Sequence, residues 1–224
     1  MKINSIANHF ILVVLFCFLT FNIHGQNKNE FRVQTGYAQA SQSLSRLGIF
    51  QTSYWSQNIH NAFGNMEYYR NFNKKSAFGL GFQIVEKGFR ADYTFKLPSY
   101  ILHQRYFFKF DYLEIPIMYR YTYKGFFFNL GAMCSYLIKS AQGSSYERLF
   151  ADGRRIDYSA GTSYNPKVFN KFDVGLIARL GMNIDDKLSF NFSFTRGFLR
   201  PYIFNSSELN YNEVFLVGLS YRIN

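Results

Sequence analysis

The sequence predicts an all-β fold: an eight-stranded antiparallel up-and-down transmembrane β-barrel preceded by a signal peptide. Three observations predict it. Side-chain character alternates with a period of two along eight segments, the mark of strands whose two faces differ. The connections between these segments run long, short, long, short, long, short, long. An apolar run ahead of the first segment has the form of a leader for export.

The leader comes first. Lys2 supplies the positive start, residues 10–21 (FILVVLFCFLTF) the apolar run, and Gly25-Gln26 the expected cut. The run is shorter than the ~20 residues a membrane helix needs. Residues 1–25 are therefore assigned as signal peptide and 26–224 as a single barrel domain. Cys17 falls inside the leader, so the mature chain keeps only Cys134 and has no internal disulfide.

The first segment, 31–40, sets Phe31, Val33, Thr35 and Tyr37 against Arg32, Gln34, Gly36 and Ala38. In the second, 63–72, Met66 and Tyr68 are placed outward, with Asn65, Glu67 and Tyr69 inward. The third begins at Ala77, with Phe78, Leu80, Phe82 and Ile84 opposite Gly79, Gly81 and Gln83. The fourth and fifth lie between Asp111 and Ile138 and alternate most cleanly. Leu113, Ile115, Ile117 and Tyr119 oppose Glu114, Pro116, Met118 and Arg120; after Lys124-Gly125, Phe126, Phe128 and Leu130 oppose Phe127, Asn129 and Gly131. That two-residue break predicts a tight hairpin. The sixth, 172–184, sets Val174, Leu176, Ala178 and Leu180 against Asp173, Gly175, Ile177 and Arg179. The seventh alternates Leu188, Phe190, Phe192 and Phe194 with Ser189, Asn191, Ser193 and Thr195. The eighth, 213–224, sets Phe215, Val217, Leu219 and Tyr221 against Leu216, Gly218, Ser220 and Arg222.

The long connections are 41–62, 87–110, 139–171 and 196–212; the short ones are 73–76, 124–125 and 185–187. Outer-membrane barrels have this asymmetry, with short periplasmic turns and long outside loops. Hydrocarbon requires a partner for every backbone N–H and C=O, so the sheet must close. A soluble eight-stranded barrel of the lipocalin kind alternates equally well, but with its apolar face inward. Its solvent face would be rich in charge, whereas the polar face here is mainly Gly, Asn, Ser and Thr, and charged residues make up 17% of the chain. Tyr119, Tyr121, Tyr123 and Phe126 on the turn side, and Phe107, Phe108, Phe110 and Tyr136 on the loop side, are expected to form two aromatic girdles.

These residues resemble the outer-membrane β-barrel family found widely in Bacteroidetes, labelled porin-family or PorT-like. The matching pieces are Glu86-Lys87-Gly88, Tyr112-Leu113-Glu114-Ile115-Pro116, Gly125 through Gly131, Phe172-Asp173-Val174-Gly175 and Gly218-Leu219-Ser220-Tyr221-Arg222. The resemblance implies an outer-membrane barrel inserted by the barrel-assembly machinery. Most members have no defined activity, and one is tied to the type IX secretion apparatus. Such barrels usually end on an aromatic residue; this chain ends Ile223-Asn224.

Seven charged residues on the polar face are expected in the lumen: Arg32, Glu67, Glu114, Arg120, Asp173, Arg179 and Arg222. They suit either an internal salt-bridge network or an ion passage, and an eight-stranded interior is just wide enough for side chains to fill. The network is the preferred reading, and on it neutralising Glu114 strands an arginine. The net charge of +11 is spread along the chain. For an exported protein that balance points to anionic membrane surfaces, including lipopolysaccharide, and excludes nucleic acid. Arg90, Lys96, Arg105, Arg154 and Arg155 in the outside loops are the candidate phosphate contacts. Trp55, in the first loop, is a candidate anchor or lid.

No enzyme is expected. His60 and His103 are the mature chain's histidines, and His103 stands near Ser99 and Asp111 without a recognisable catalytic motif. No spacing suggests a metal site or a cofactor. The expected function is structural or accessory, with basic, aromatic outside loops available for binding. The alternatives are a small-solute pore and an accessory subunit of an outer-membrane secretion system.

Overall fold

The computed structural model describes residues 29–42, 51–163, 169–199 and 211–223, with side chains described over 29–41, 58–159, 169–199 and 211–223. The leader assignment lies outside the described residues, as does the side chain of Trp55.

Nine strands are described: β1 (Asn29–Gln42), β2 (Gln51–Asn71), β3 (Ser76–Leu97), β4 (Tyr100–Tyr123), β5 (Phe126–Phe150), β6 (Arg155–Ser163), β7 (Phe172–Asn183), β8 (Leu188–Gly197) and β9 (Asn212–Arg222). Eight of them close an antiparallel ring in the order β1-β2-β3-β4-β5-β7-β8-β9. The seam between first and last strands runs from Arg32 opposite Arg222 to Gln42 opposite Asn212. The ninth, β6, lies beside the far end of β5, opposite Gln142–Leu149.

Alternation decides which face points where. On the outside, Phe78, Phe82, Ile84, Tyr119, Phe128, Leu130, Leu176, Leu180, Phe192, Phe215 and Leu219 are all exposed. Each such side chain forgoes about 1.5–3 kcal/mol if left in water. A continuous ring of them therefore calls for an apolar surrounding. Among the described residues no helix is long and apolar enough to cross a membrane; the strands do so instead. β1, β7, β8 and β9 have 14, 12, 10 and 11 residues, close to the ~9–11 that a tilted strand needs.

The turns at one end are short because their residues specify them. Lys124 (φ 48°) and Gly125 (φ 86°) are both left-handed, as a two-residue hairpin turn requires. Asn73 Oδ1 accepts hydrogen bonds from the amides of Lys75 and Ser76, both at 2.8 Å. Asp185 Oδ1 accepts those of Lys187 and Leu188 at 2.6 and 2.7 Å.

The opposite end differs from the sequence expectation. Three of the four long connections are largely strand: β2 begins at Gln51, β3 and β4 run on to a tip at Pro98-Ser99, and β5 and β6 continue to a tip at 151–154. β3, β4 and β5 thus reach 22, 24 and 25 residues. The alternation of Phe89, Ala91, Tyr93 and Phe95 with Arg90, Asp92, Thr94 and Lys96 continues the sheet beyond the belt. Just above the belt the polarity contrast reverses, with Phe89 and Ala91 buried inside and Arg90 and Asp92 on the outer face, so the apolar-out pattern that marks the membrane strands ends there. The loop-side girdle also changes. Tyr136 faces out and packs its ring 5.2 Å from that of Phe172. Phe108 and Phe110 instead turn inward, Phe110 to complete burial.

Candidate functional site

The lumen is the most strongly built polar site, and its groups lie in tiers. Nearest the short turns, Glu30 accepts hydrogen bonds from Arg32 Nε and from Arg120 Nη1, the latter at 3.0 Å, and Arg222 Nη1 approaches to 3.8 Å. Arg32 also donates to Ser189 at 2.5 Å and to Ser220 at 3.3 Å. The Arg120 guanidinium carbon lies 3.5 Å from the Tyr69 ring centroid and 4.8 Å from that of Phe127. These rings fit because Gly79 and Gly181 lie beneath them; a Cβ at either position would overlap the ring of Tyr69 or Phe127.

In the middle tier, Arg179 Nη1 donates to both Glu67 oxygens at 2.6 and 2.8 Å, and its Nε donates to Ser193 at 2.7 Å. Glu67 also accepts from Asn65 at 2.6 Å and from the Tyr69 hydroxyl at 3.0 Å. Gln34 donates to Asn191 at 2.7 Å. β2 and β7 are four strands apart in either direction round the ring, so the Glu67–Arg179 pair bridges the full bore.

The upper tier centres on Lys87. Its Nζ lies 2.6 Å from Glu114 Oε1 and 3.9 Å from Asp173 Oδ2. Glu114 accepts further bonds from Gln83 at 2.9 Å and Ser135 at 3.0 Å. Asp173 accepts from the backbone amides of Phe198 and Leu199 at 3.2 and 3.0 Å, which fixes the chain leaving β8. Above them Phe110, Tyr112, Leu137 and Phe169 form a buried apolar layer.

All seven charged residues singled out in the sequence lie on the lumen side, but two groups that join them were missed. Glu30 precedes the first alternating residue, and Lys87 is the first residue of the long connection 87–110. Lys87 shares its parity with Gln83 and Val85, which carries it to the buried face. The partner of Glu114 is therefore Lys87, not an arginine. Against Glu30, Glu67, Glu114 and Asp173 stand Arg32, Arg120, Arg179, Arg222 and Lys87, a balance of 5 − 4 = +1 among the described lumen residues.

The sequence profile of the family described as "Outer membrane protein beta-barrel domain" matches residues 26–200, well over half of the chain. The chain belongs to that family. No relative is found among the curated proteins. Solved structures to which the chain is similar include Ail, the attachment invasion locus protein of Yersinia pestis, at 13% identity and TM-score 0.44, covering 88% of this chain and 99% of that one. Neisserial surface protein A follows at 13% and 0.42 (85% and 96% covered), and OprG from Pseudomonas aeruginosa at 12% and 0.38 (91% and 100%).

As an outer-membrane barrel, the protein meets membrane lipid with its aromatic and aliphatic belt. Its short turns face the periplasm, and the tall sheet of β2 to β6 faces outward. That orientation locates the loop cations. Lys109 pairs with Glu86 at 3.1 Å at the edge of the belt, where Asp111 and Lys139 are neighbours across β4 and β5. The candidate phosphate contacts stand elsewhere. Lys96 is 96 − 86 = 10 residues past Glu86, roughly 25 Å above the belt for a tilted strand. Arg105 faces Asp92 at 4.0 Å, Arg154 pairs with Asp152 at 2.6 Å, and Arg155 lies between Glu147 at 3.2 Å and Asp157 at 3.1 Å. Arg90 is exposed on the same outer face as Arg105. The two described histidines meet hydroxyls, His60 that of Tyr37 and His103 that of Thr94 at 3.0 Å. Among the described residues no group of His, Cys, Asp and Glu could hold a metal ion.

Proposed function

We propose that the protein is a sealed outer-membrane barrel whose role is structural or accessory: it carries a rigid β-sheet outside the cell for binding. The single observation that carries this reading is the ion pair of Arg179 and Glu67 across the full diameter, reinforced by Lys87–Glu114 and Glu30–Arg120 on either side. Buried ion pairs join non-adjacent strands at two heights, Glu67 with Arg179 and Glu30 with Arg120, and above them Lys87 lies between Glu114 on the neighbouring strand and Asp173 on β7. That filling leaves little room for a solute, and an eight-stranded interior has none to spare. Purified protein in planar bilayers is expected to give no steady unitary current at any voltage. Reproducible unitary steps would overturn the sealed reading.

A small-solute pore is the second reading. In its favour, three arginines surround the single carboxylate of Glu30 at the periplasmic mouth. Arg179 Nη2, Asn191 Nδ2 and Thr195 Oγ1 are also buried without a hydrogen-bond partner among the described residues. Such a pore would select anions, which reversal potentials in a salt gradient measure.

The reading includes no catalysis. It includes removal of residues 1–25, supported by a family match that begins at residue 26, and insertion by the barrel-assembly machinery. Lipopolysaccharide is the expected anionic lipid beside Lys109 and Lys139, and the phosphate role of Arg90, Lys96, Arg105, Arg154 and Arg155 falls to groups displayed above that layer. The likeness of Tyr112-Leu113-Glu114-Ile115-Pro116 and the following hairpin to PorT-like proteins of Bacteroidetes supports an accessory role in secretion. Loss of exported cargo in a deletion strain tests that role.

A further inference from the structure

We infer that the free edge of β6 is a strand-addition site for an extended segment of another polypeptide. This rests on the reading above that the tall sheet stands outside the cell. Among the described residues β6 pairs with β5 alone, and it is the terminal strand of the sheet. The strands that follow it round the ring stay low: β7 meets β5 no higher than Tyr136 opposite Phe172, and β8 ends at Gly197 opposite Gly175. Among the described residues no strand flanks the outer edge of β6, so its main-chain donors and acceptors on that side have no strand partner there.

Open edges are normally guarded by lysine, proline or inward-pointing charge. Residues 155–163 contain no lysine and no proline. The inward positions hold Ile156 and Tyr158, 53% and 63% exposed, and Tyr158 extends an aromatic row through Tyr146, 6.1 Å away, to Tyr106 and Tyr93. The other face presents Arg155 and Asp157. Register along β5 is regular from Arg155 to Ala160, enough for an incoming strand of about six residues. Main-chain bonds would supply affinity and alternate side chains specificity. The fitting segment alternates apolar residues, against Ile156 and Tyr158, with an acid opposite Arg155 and a base opposite Asp157.

A second copy in the same membrane does not fit this edge. Barrel strands lean roughly 35–45° from the membrane normal. A twofold axis along that normal would cross the two edges at roughly 70–90°, too steep for a ladder.

The test uses the full barrel in nanodiscs and a labelled octapeptide alternating valine with glutamate and lysine. Its control is the same peptide N-methylated at alternate residues, which keeps every side chain and removes the donors from one edge. Saturable anisotropy with the first peptide, about tenfold weaker binding of the second, and slowed amide exchange confined to 155–160 are the expected results. The pair I156K and Y158K should abolish binding while the folded band keeps its heat resistance. Equal binding of both peptides, protection elsewhere, or slow exchange without peptide at the alternate 155–160 amides that point away from β5 would each overturn the proposal. So would a dimer, by light scattering, that the double variant dissociates, because it assigns the edge to a second copy. Conductance of the same preparation tests the sealed lumen separately, so the two readings fail independently.

Discussion

Arg179 on β7 and Glu67 on β2 face each other across the barrel at 2.6 Å, each with a side chain only 1% exposed. The strands are as far apart as an eight-membered ring permits, so this contact reports the bore itself. Breaking a buried pair leaves an uncompensated charge, which costs about 3–5 kcal/mol. Glu67→Gln and Arg179→Met should each lower the temperature at which the folded band unfolds on gels. The double variant should recover part of the loss. Singles that unfold with wild type would mean that the pair is solvated.

Lys87 serves two carboxylates, Glu114 and Asp173. Lys87→Met should therefore destabilise more than Glu114→Gln, and Glu114→Gln in the Lys87→Met background should restore stability. Asp173 also holds the amides of Phe198 and Leu199. Exchange at the Leu199 amide should accelerate in Lys87→Met, while the Phe198 amide, which also donates to Val174 O at 2.7 Å, should stay protected.

The belt and the outer sheet predict opposite responses to the same change. Leu130→Arg places a charge against hydrocarbon near the midplane and should cost about 2–4 kcal/mol. Ile156→Arg, equally exposed but on β6 in water, should change stability by less than about 0.5 kcal/mol. Refolding titrations into vesicles compare the two.

The periplasmic turn gives a pH signature. Backbone amides of Leu188 and Lys187 hold the Asp185 pKa below the ordinary aspartate value. A depressed folded pKa contributes stability that is present above the unfolded pKa and lost as pH falls through the folded one. The protection of the Leu188 amide, measured against its intrinsic exchange rate at each pH, should be full at pH 5 and fall as the pH drops from the usual carboxylate midpoint through the depressed one. Asp185→Asn should remove that dependence.

Much of the membrane portion was legible because lipid and lumen impose opposite chemistry on successive residues. Phe128 and Asn129 are neighbours in sequence, one 46% and the other 0% exposed. Lys124-Gly125 was equally legible, since a tight hairpin restricts what its turn can contain. The tall sheet was not. Past Glu86 the polarity of β3 reverses, with Phe89 and Ala91 buried inside and Arg90 and Asp92 outside, and Arg90, Asp92 and Lys96 resemble loop residues although their backbone remains paired. The pairing of the lumen charges was also hidden. Glu67 meets Arg179 only because the ring closes with a particular stagger, which no local pattern encodes. Glu30 and Lys87 escaped because each lies one step past the end of a clean alternating run.

Spin labels at positions 128 and 129 of the barrel in bilayers test the central claim most directly, since everything depends on which face meets lipid. The label at 128 should collide readily with oxygen and be shielded from a polar nickel chelate, as in hydrocarbon. The label at 129 should be shielded from both, as in a packed polar interior. Matching accessibility at the two sites would contradict the account.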